Sequence, residues 1–108
     1  MKRVLYIVRR PPGVLADEFF DVTLVSGVFE QPTSVLFADR GVYQLLGLAA
    51  RESPIKTLSS YDIKDLYVAE ESMTSLGLDI QDIPSGVHTA SRRDVRELIA
   101  HHDVVLTD

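Results

Sequence analysis

The sequence predicts an α/β fold, a sheet of five mainly parallel strands with helices on both of its faces. Short apolar runs of strand length alternate along the chain with segments of helical periodicity. Most of these runs are continuously apolar, which is typical of strands that are buried on both faces. Residues 1–108 have about the length of one small domain, and no repeat or linker divides them. We therefore expect a single three-layer domain with the flavodoxin-like strand order of about 2-1-3-4-5.

The first half of the chain contains two predicted strands and two predicted helices. Residues 4–8 form a β-branched and aromatic run that ends at a Pro-Pro-Gly turn, which indicates a central strand. Residues 15–29 have nearly helical spacing, but apolar residues cover almost the whole helical wheel. Residues 34–38 predict a second buried strand, and residues 42–46 a short helix with a C-terminal glycine cap at Gly47.

The second half of the chain continues the alternation after an irregular stretch. Residues 48–62 are the least periodic, with one or two helical turns expected around 55–60. Three further strands are predicted at residues 66–69, 86–90 and 103–107. Residues 70–76 predict a short helix with a glycine cap. Ser91, with an acid three residues later, predicts the N-terminus of a last helix.

Composition excludes several classes of protein. The chain has 11 Lys and Arg against 16 Asp and Glu, a net charge of -5, so we expect no direct contact with nucleic acid. It has no cysteine, which excludes disulfides, zinc ribbons and a thiol nucleophile. The apolar run near the N-terminus is too short for a signal peptide, and no segment has the length of a membrane span. We expect a cytoplasmic protein without a cofactor or a bound metal.

The expected strand order also predicts where a ligand would bind. In open parallel sheets, ligands bind beyond the carboxyl ends of the strands, at the point where the strand order reverses. With the order 2-1-3-4-5, that point lies between the first and third strands. Six polar residues of the four loops at this edge form the candidate crevice: Arg9, Arg10, Asp39, Glu70, Glu71 and Ser91.

Each charged group in these loops also has a plain structural interpretation, which we favour. Arg9 and Arg10 could bind an anion, but charges at a strand end are usually solvated. Glu70 and Glu71 could serve acid-base or metal chemistry, but acids in the first turn of a helix stabilise its dipole. His101 and His102 resemble a metal pair, but adjacent residues of a helix point apart. A self-assembling anion-binding protein and a metal- or acid-dependent enzyme therefore remain as alternatives.

The helix over residues 15–29 predicts a contact with another subunit. One sheet face cannot cover all of its apolar side chains, so some of them should lie in an interface. The residues concerned are Phe19, Phe20, Val22, Leu24, Val25, Val28 and Phe29.

Residues 34–46 are the most characteristic stretch of the sequence. The strand Ser-Val-Leu-Phe-Ala is followed by Asp39 and Arg40 and then by Gly-Val-Tyr-Gln-Leu-Leu. This stretch resembles the strand and the pattern A-D-G-V-x-Q-L of the DsrE/DsrF/DsrH superfamily of small sulfur-relay proteins, in particular its TusC or DsrF type. Residues 67–78 and the closing strand at 102–106 support the resemblance, which implies the DsrEFH-like three-layer fold.

The resemblance also implies a function and a set of partners. In such families, the sulfur-carrying subunit of the DsrE or TusD type has a cysteine just after the third strand, and Ala69 or Glu70 stands at that position here. The chain therefore resembles a subunit without a catalytic residue. The implied partners are DsrE/TusD-like and DsrH/TusB-like subunits in a heterohexamer and, indirectly, a sulfur-carrier protein. Such complexes serve transfer RNA 2-thiouridine formation or sulfur oxidation.

Overall fold

The chain folds around a sheet of five parallel strands. The computed structural model describes residues 2–29, 31–46 and 53–108. The strands are β1 (Val4–Val8), β2 (Thr33–Phe37), β3 (Asp65–Ala69), β4 (His88–Ala90) and β5 (Val104–Thr107). The α-helices are α1 (Val14–Val28), α2 (Ile55–Ser60), α3 (Glu70–Ser75) and α4 (Arg92–Ala100), with 3₁₀ helices at Asp39–Leu46 and Ile80–Asp82. Each pair of neighbouring strands runs parallel, which confirms the predicted α/β class.

The neighbours of β1 differ from those that the sequence led us to expect. The strand order is β4-β3-β2-β1-β5, so β1 lies between β2 and β5, whereas the order 2-1-3-4-5 places it between β2 and β3. Leu5 is in register with Ser34 on one side and with Val105 on the other. The strand is thus interior, as its apolar sequence predicts. The neighbours of β1 depend on the side to which each crossover connection leads. The apolar pattern of a buried strand is the same whichever strand lies next to it, so this pattern could not distinguish the two strand orders.

Most element bounds agree with the sequence to within two residues. The helix expected at 15–29 is α1, and the turns expected around 55–60 form α2. The short helix expected at 42–46 belongs to a longer 3₁₀ helix, Asp39–Leu46, and the 3₁₀ turn at Ile80–Asp82 was not predicted. The cap expected at Gly47 lies outside the described residues.

The two faces of the sheet are covered to different extents. On the first face, Val8, Phe37 and Val68 pack with apolar residues of α1, α2, α3 and the first 3₁₀ helix. On the second face, the alternate strand residues pack against α4 through Val95 and Leu98. The outer strand β5 keeps Val105 and Leu106 exposed. None of the helices in the described ranges has the length and apolar character needed to cross a membrane.

Candidate functional site

A tight turn after β2 shapes the carboxyl edge of the sheet. Asp39 has a φ of 50°, a left-handed conformation that is uncommon for a residue with a side chain. Its backbone N–H donates to Ser72 Oγ at 2.8 Å, which ties the turn to α3. A Cβ on Gly41 would overlap the carbonyl of Val8, so this close approach of two backbone segments requires glycine.

An open groove of about 710 Å³ lies beyond this turn, at the carboxyl ends of β2, β3 and β4. Four of the six predicted crevice residues line it: Asp39, Glu70, Glu71 and Ser91. Arg9 reaches the groove through an ion pair, in which its Nε lies 2.7 Å from Asp39 Oδ2. The sheet edge that the sequence predicted therefore does bring most of these residues together.

Arg10 is not among the lining residues of this groove, and the predicted crevice between β1 and β3 does not form. β2 lies between these two strands, so Glu70 and Glu71 are one strand too far from Arg10 to share a crevice with it. The Arg10 carbonyl accepts a hydrogen bond from Gln44 Nε2 at 2.8 Å. The predicted residues are thus regrouped around the ends of β2 to β4.

Charges in the groove are engaged in exposed pairs. An oxygen of Glu71 lies 2.9 Å from a guanidinium nitrogen of Arg92, and both side chains are more than half exposed. The pair between Arg9 and Asp39 is also about half exposed. Exposed pairs of this kind contribute about 0–1 kcal/mol each, so they orient side chains more than they stabilise the fold.

Hydroxyl groups in the groove also serve the local structure. The nearly buried Ser72 hydroxyl accepts the bond from Asp39, and Ser91 Oγ accepts from the backbone N–H of Asp94 at 3.1 Å. The Asp94 carboxylate accepts in return from the Ser91 N–H at 3.0 Å, which completes a capping box at the start of α4. The bonds from the backbone N–H and the side chain of Ser91 lower the pKa of Asp94.

Of the two residues that the resemblance places at the sulfur-carrying position, Ala69 and Glu70, Glu70 lines this groove. Ala69 ends β3 and is buried, and Glu70 begins α3 and is exposed. The sequence contains no cysteine, so the groove offers no thiolate. In the part of the chain that the structure describes, no group of three or more His, Asp or Glu residues is placed to hold a metal ion.

The outer face of α1 is apolar and exposed. Of the seven predicted interface residues, Phe19, Phe20 and Leu24 pack on the chain's own core. The other four are exposed, as are two residues at the start of the helix, and together they form the α1 outer face: Val14, Leu15, Val22, Val25, Val28 and Phe29. At 100° per residue, Glu18 and Asp21 lie within the same arc. The sequence between Val14 and Val28 contains no Lys or Arg.

A second group of polar side chains lies at the opposite, amino edge of the sheet, and sequence reasoning missed it. His102 Nε2 lies 2.9 Å from Ser34 Oγ, which lies 2.5 Å from Asp65 Oδ2. Tyr67 donates its hydroxyl to Asp65 Oδ1 at 2.8 Å. Burial, followed by the bond to Asp65 and the charge of that residue, raises the pKa of Tyr67 to about 12. The available signal was the polar Ser34 next to the apolar run of β2.

Comparison with known proteins places this geometry in a family. The model of the DsrE/DsrF-like family matches residues 2–107. The chain belongs to the DsrE/DsrF-like family. The resemblance that the sequence showed around Asp39 and Gly41 is thereby confirmed.

Curated relatives of this DsrE/DsrF-like chain carry the names of two related proteins. It is 31% identical over 93 residues to the intracellular sulfur oxidation protein DsrF of Allochromatium vinosum, covering 77% of this chain and 68% of that protein. It is 29% identical to a TusC homolog of Pseudomonas aeruginosa, with 96% of each chain covered. It is 32% identical to TusC of Shigella flexneri, with 98% of each covered.

The fold of the DsrE/DsrF-like chain has a close counterpart among solved structures. The crystal structure of the ychN protein from E. coli superimposes with a TM-score of 0.81, covering 100% of both chains. Sequence identity to that protein is 12%, so the comparison shows the fold alone. The parallel three-layer architecture is therefore shared by both proteins.

Proposed function

We propose that this chain is a non-catalytic subunit of a sulfur-relay complex. The observation that carries the proposal is the pair Ala69 and Glu70 at the end of β3, the position at which a sulfur-carrying relative would have its cysteine. Persulfide transfer needs a thiolate that attacks or accepts sulfane sulfur, and no residue of this sequence supplies one. The relatives named DsrF and TusC support this role.

The chemistry would then belong to a partner subunit. Glu70 and Glu71 stand at the start of α3, where two carboxylates would disfavour a thiolate. A groove of this kind suits contact with another protein better than nucleophilic catalysis. We propose that the thiol is supplied by a DsrE/TusD-like subunit, and that a DsrH/TusB-like subunit completes a heterohexamer that receives or passes sulfur through a carrier protein.

The α1 outer face supports assembly with such partners. It exposes six large apolar side chains around Glu18 and Asp21, with no cation on the helix. A partner surface that is apolar in its centre and basic at its rim would complement it. We propose that this assembly acts in the cytoplasm, in transfer RNA 2-thiouridine formation or in sulfur oxidation, and that any contact with nucleic acid is made by a partner.

Co-purification tests the assembly. The natively expressed chain should be recovered with two related short chains, identified by mass spectrometry after gel filtration. Recovery of a homo-oligomer alone would instead favour the self-assembling alternative. Recovery of a monomer at micromolar concentration would contradict the proposed role of the α1 outer face.

Persulfide labelling tests the chemistry. After incubation with a persulfide donor, the isolated chain should gain no mass, whereas the reconstituted complex should gain one sulfur atom on a partner subunit. An added sulfur atom on this chain that survives gel filtration and is lost on reduction would overturn the non-catalytic assignment. The variant Ser75→Cys is the positive control, because it places a thiol on an exposed residue that lines the same groove.

A further inference from the structure

The polar side chains at the amino edge of the sheet form one continuous chain of hydrogen bonds. His102 Nδ1 lies 2.6 Å from the carbonyl oxygen of Leu98, and its Nε2 lies 2.9 Å from Ser34 Oγ. Ser34 Oγ is 2.5 Å from Asp65 Oδ2, and Asp65 Oδ1 accepts from Tyr67. Ser34 is 4% exposed, whereas His102 is half-buried and Asp65 is exposed.

Counting hydrogens along this chain fixes its protonation. The Leu98 carbonyl can only accept, so Nδ1 of His102 must carry a hydrogen. If Asp65 is a carboxylate, the single hydroxyl hydrogen of Ser34 is used in the bond to Asp65. The contact between Nε2 and Ser34 then needs a hydrogen on Nε2 as well. The alternative, a neutral imidazole with a protonated Asp65, contains the same number of protons.

We propose that His102, Ser34 and Asp65 form a proton-dependent clasp. The closed arrangement holds one proton more than a neutral imidazole and a carboxylate hold together. When that proton leaves, Ser34 can donate its single hydrogen either to Asp65 or to His102. The other of these two contacts then brings two lone pairs together, so the clasp loses one hydrogen bond. Because the Ser34 hydroxyl is buried, an unpaired contact at that hydroxyl is costly.

The position of the clasp determines what it holds. His102 lies in the turn between α4 and β5, while Ser34 and Asp65 belong to β2 and β3. The clasp thus fastens the end of α4, which packs on the second face of the sheet, to two central strands. Loss of the proton would loosen α4 and the outer strand β5 and expose more of the apolar second face.

Other ionisable groups surround the clasp and enter its pH response. The ring of Tyr67 in β3 lies beside the ring of His88 in β4, with a centroid distance of 5.9 Å and an angle of 44° between the ring planes. Two cavities lie next to His102, and other charged or titratable residues line them. These residues, with Asp103 that follows His102, are Arg3, Tyr61, Asp62, Lys64, Asp94, Glu97, His101 and Asp103. These neighbours include both positive and negative groups. The proposal therefore rests on the number of hydrogens in the clasp and not on the net charge around it.

Nitrogen NMR of the histidine rings tests the clasp directly in the unmodified protein. At pH 7, the ring nitrogens of His102 should give the shifts of an imidazolium, or those of a neutral ring whose Nε2 accepts a hydrogen bond while Asp65 is protonated. His101, whose Nδ1 also faces a backbone carbonyl but whose ring is exposed, is the internal reference. A neutral His102 with a bare Nε2 at pH 7, together with an ionised Asp65, would overturn the proposal.

The variant Asp65→Asn tests the proton count. Its amide can donate to Ser34, which then donates to a neutral His102, so every contact is kept without the extra proton. Asp62→Asn is the control, since Asp62 is exposed and has a φ of 62° that Asn tolerates. The folded wild type holds a proton that the unfolded chain releases above about pH 6.5. The unfolding equilibrium constant of the wild type should therefore rise with pH. For each pH unit, this rise should exceed that of Asp65→Asn by a factor of up to about ten.

The outcomes separate clearly. Asp62→Asn should keep the wild-type pH dependence between about pH 6 and 8, where an imidazole titrates. Equal slopes for the wild type and Asp65→Asn, measured by urea unfolding, would contradict the clasp. If Asp65→Asn does not fold, Ser34→Ala removes the central hydroxyl and should abolish the imidazolium signature of His102. Retention of that signature in Ser34→Ala would overturn the relay through Ser34.

Discussion

Replacing Val25 by Asp should disrupt assembly of the complex and leave the fold intact. Val25 lies in the middle of the α1 outer face, and 51% of it is exposed in the isolated chain. A partner that covers the α1 outer face would bury the remaining half of the side chain. The substitution therefore acts on the interface, where the carboxylate would be buried.

The magnitude follows from the exposed fraction. Full burial of a valine contributes about 1.5 kcal/mol, so covering the exposed half contributes about 0.8 kcal/mol. Val25→Ala should thus weaken binding about fourfold. Val25→Asp adds the cost of an unpaired buried carboxylate, about 3 kcal/mol or more, and a further charge next to Glu18 and Asp21. Binding should fall at least about a hundredfold.

Analytical ultracentrifugation or titration calorimetry with the co-purified partners measures this loss. Ile80→Asp is the matched control, because Ile80 is also an exposed aliphatic residue but lies outside α1. Urea unfolding should show that both variants remain folded. Wild-type affinity for Val25→Asp, or an equal loss for Ile80→Asp, would refute the assignment of the interface to the α1 outer face.

Three further predictions concern the fold and its titration. Gly41→Ala should lower the free energy of unfolding by about 3 kcal/mol, because its Cβ would overlap the Val8 carbonyl, whereas Gly13→Ala, whose Cβ meets its nearest neighbour at 3.9 Å, should change it by less than about 0.5 kcal/mol. The pKa of Tyr67 is raised to about 12 in the folded chain, whereas the unfolded chain loses this proton at about pH 10. The free energy of unfolding should therefore fall as pH rises from about 10 to 12. A difference absorbance titration against Tyr67→Phe checks this. Ser91→Ala should cost about 1 kcal/mol and speed amide exchange in the first turn of α4; unchanged exchange there would show that the cap is unimportant.

Local patterns predicted the elements of this fold well. The continuous apolar run at β1 and the capping serine before α4 depend on neighbours along the chain, and sequence contains those neighbours. The apolar wheel of α1 correctly indicated more apolar surface than one sheet face can cover. The structure divides it into a buried side, with Phe19 and Phe20, and an exposed side that includes Val25.

Contacts between distant segments could not be predicted in the same way. Ser34 and His102 are 68 residues apart, and each has an ordinary local interpretation, one as a polar strand residue and one as a helix end. The pairing of Arg9 with Asp39 likewise follows from β1 and β2 being neighbours. The regrouping of the candidate site therefore has one cause, the position of β1 between β2 and β5.

That strand order also accounts for the location of the groove. The order of the strands reverses between β1 and β5, which is where open parallel sheets usually bind ligands. Here the backbone N–H of Arg9, at the end of β1, donates to the side chain of Asp108 beyond β5 at 2.8 Å. The Asp108 carboxylate thus accepts the backbone N–H hydrogen bond that an anionic ligand at this place would otherwise accept. The open groove lies instead at the ends of β2, β3 and β4, where Glu70 and Glu71 line it. This arrangement supports the proposed assembly with other subunits.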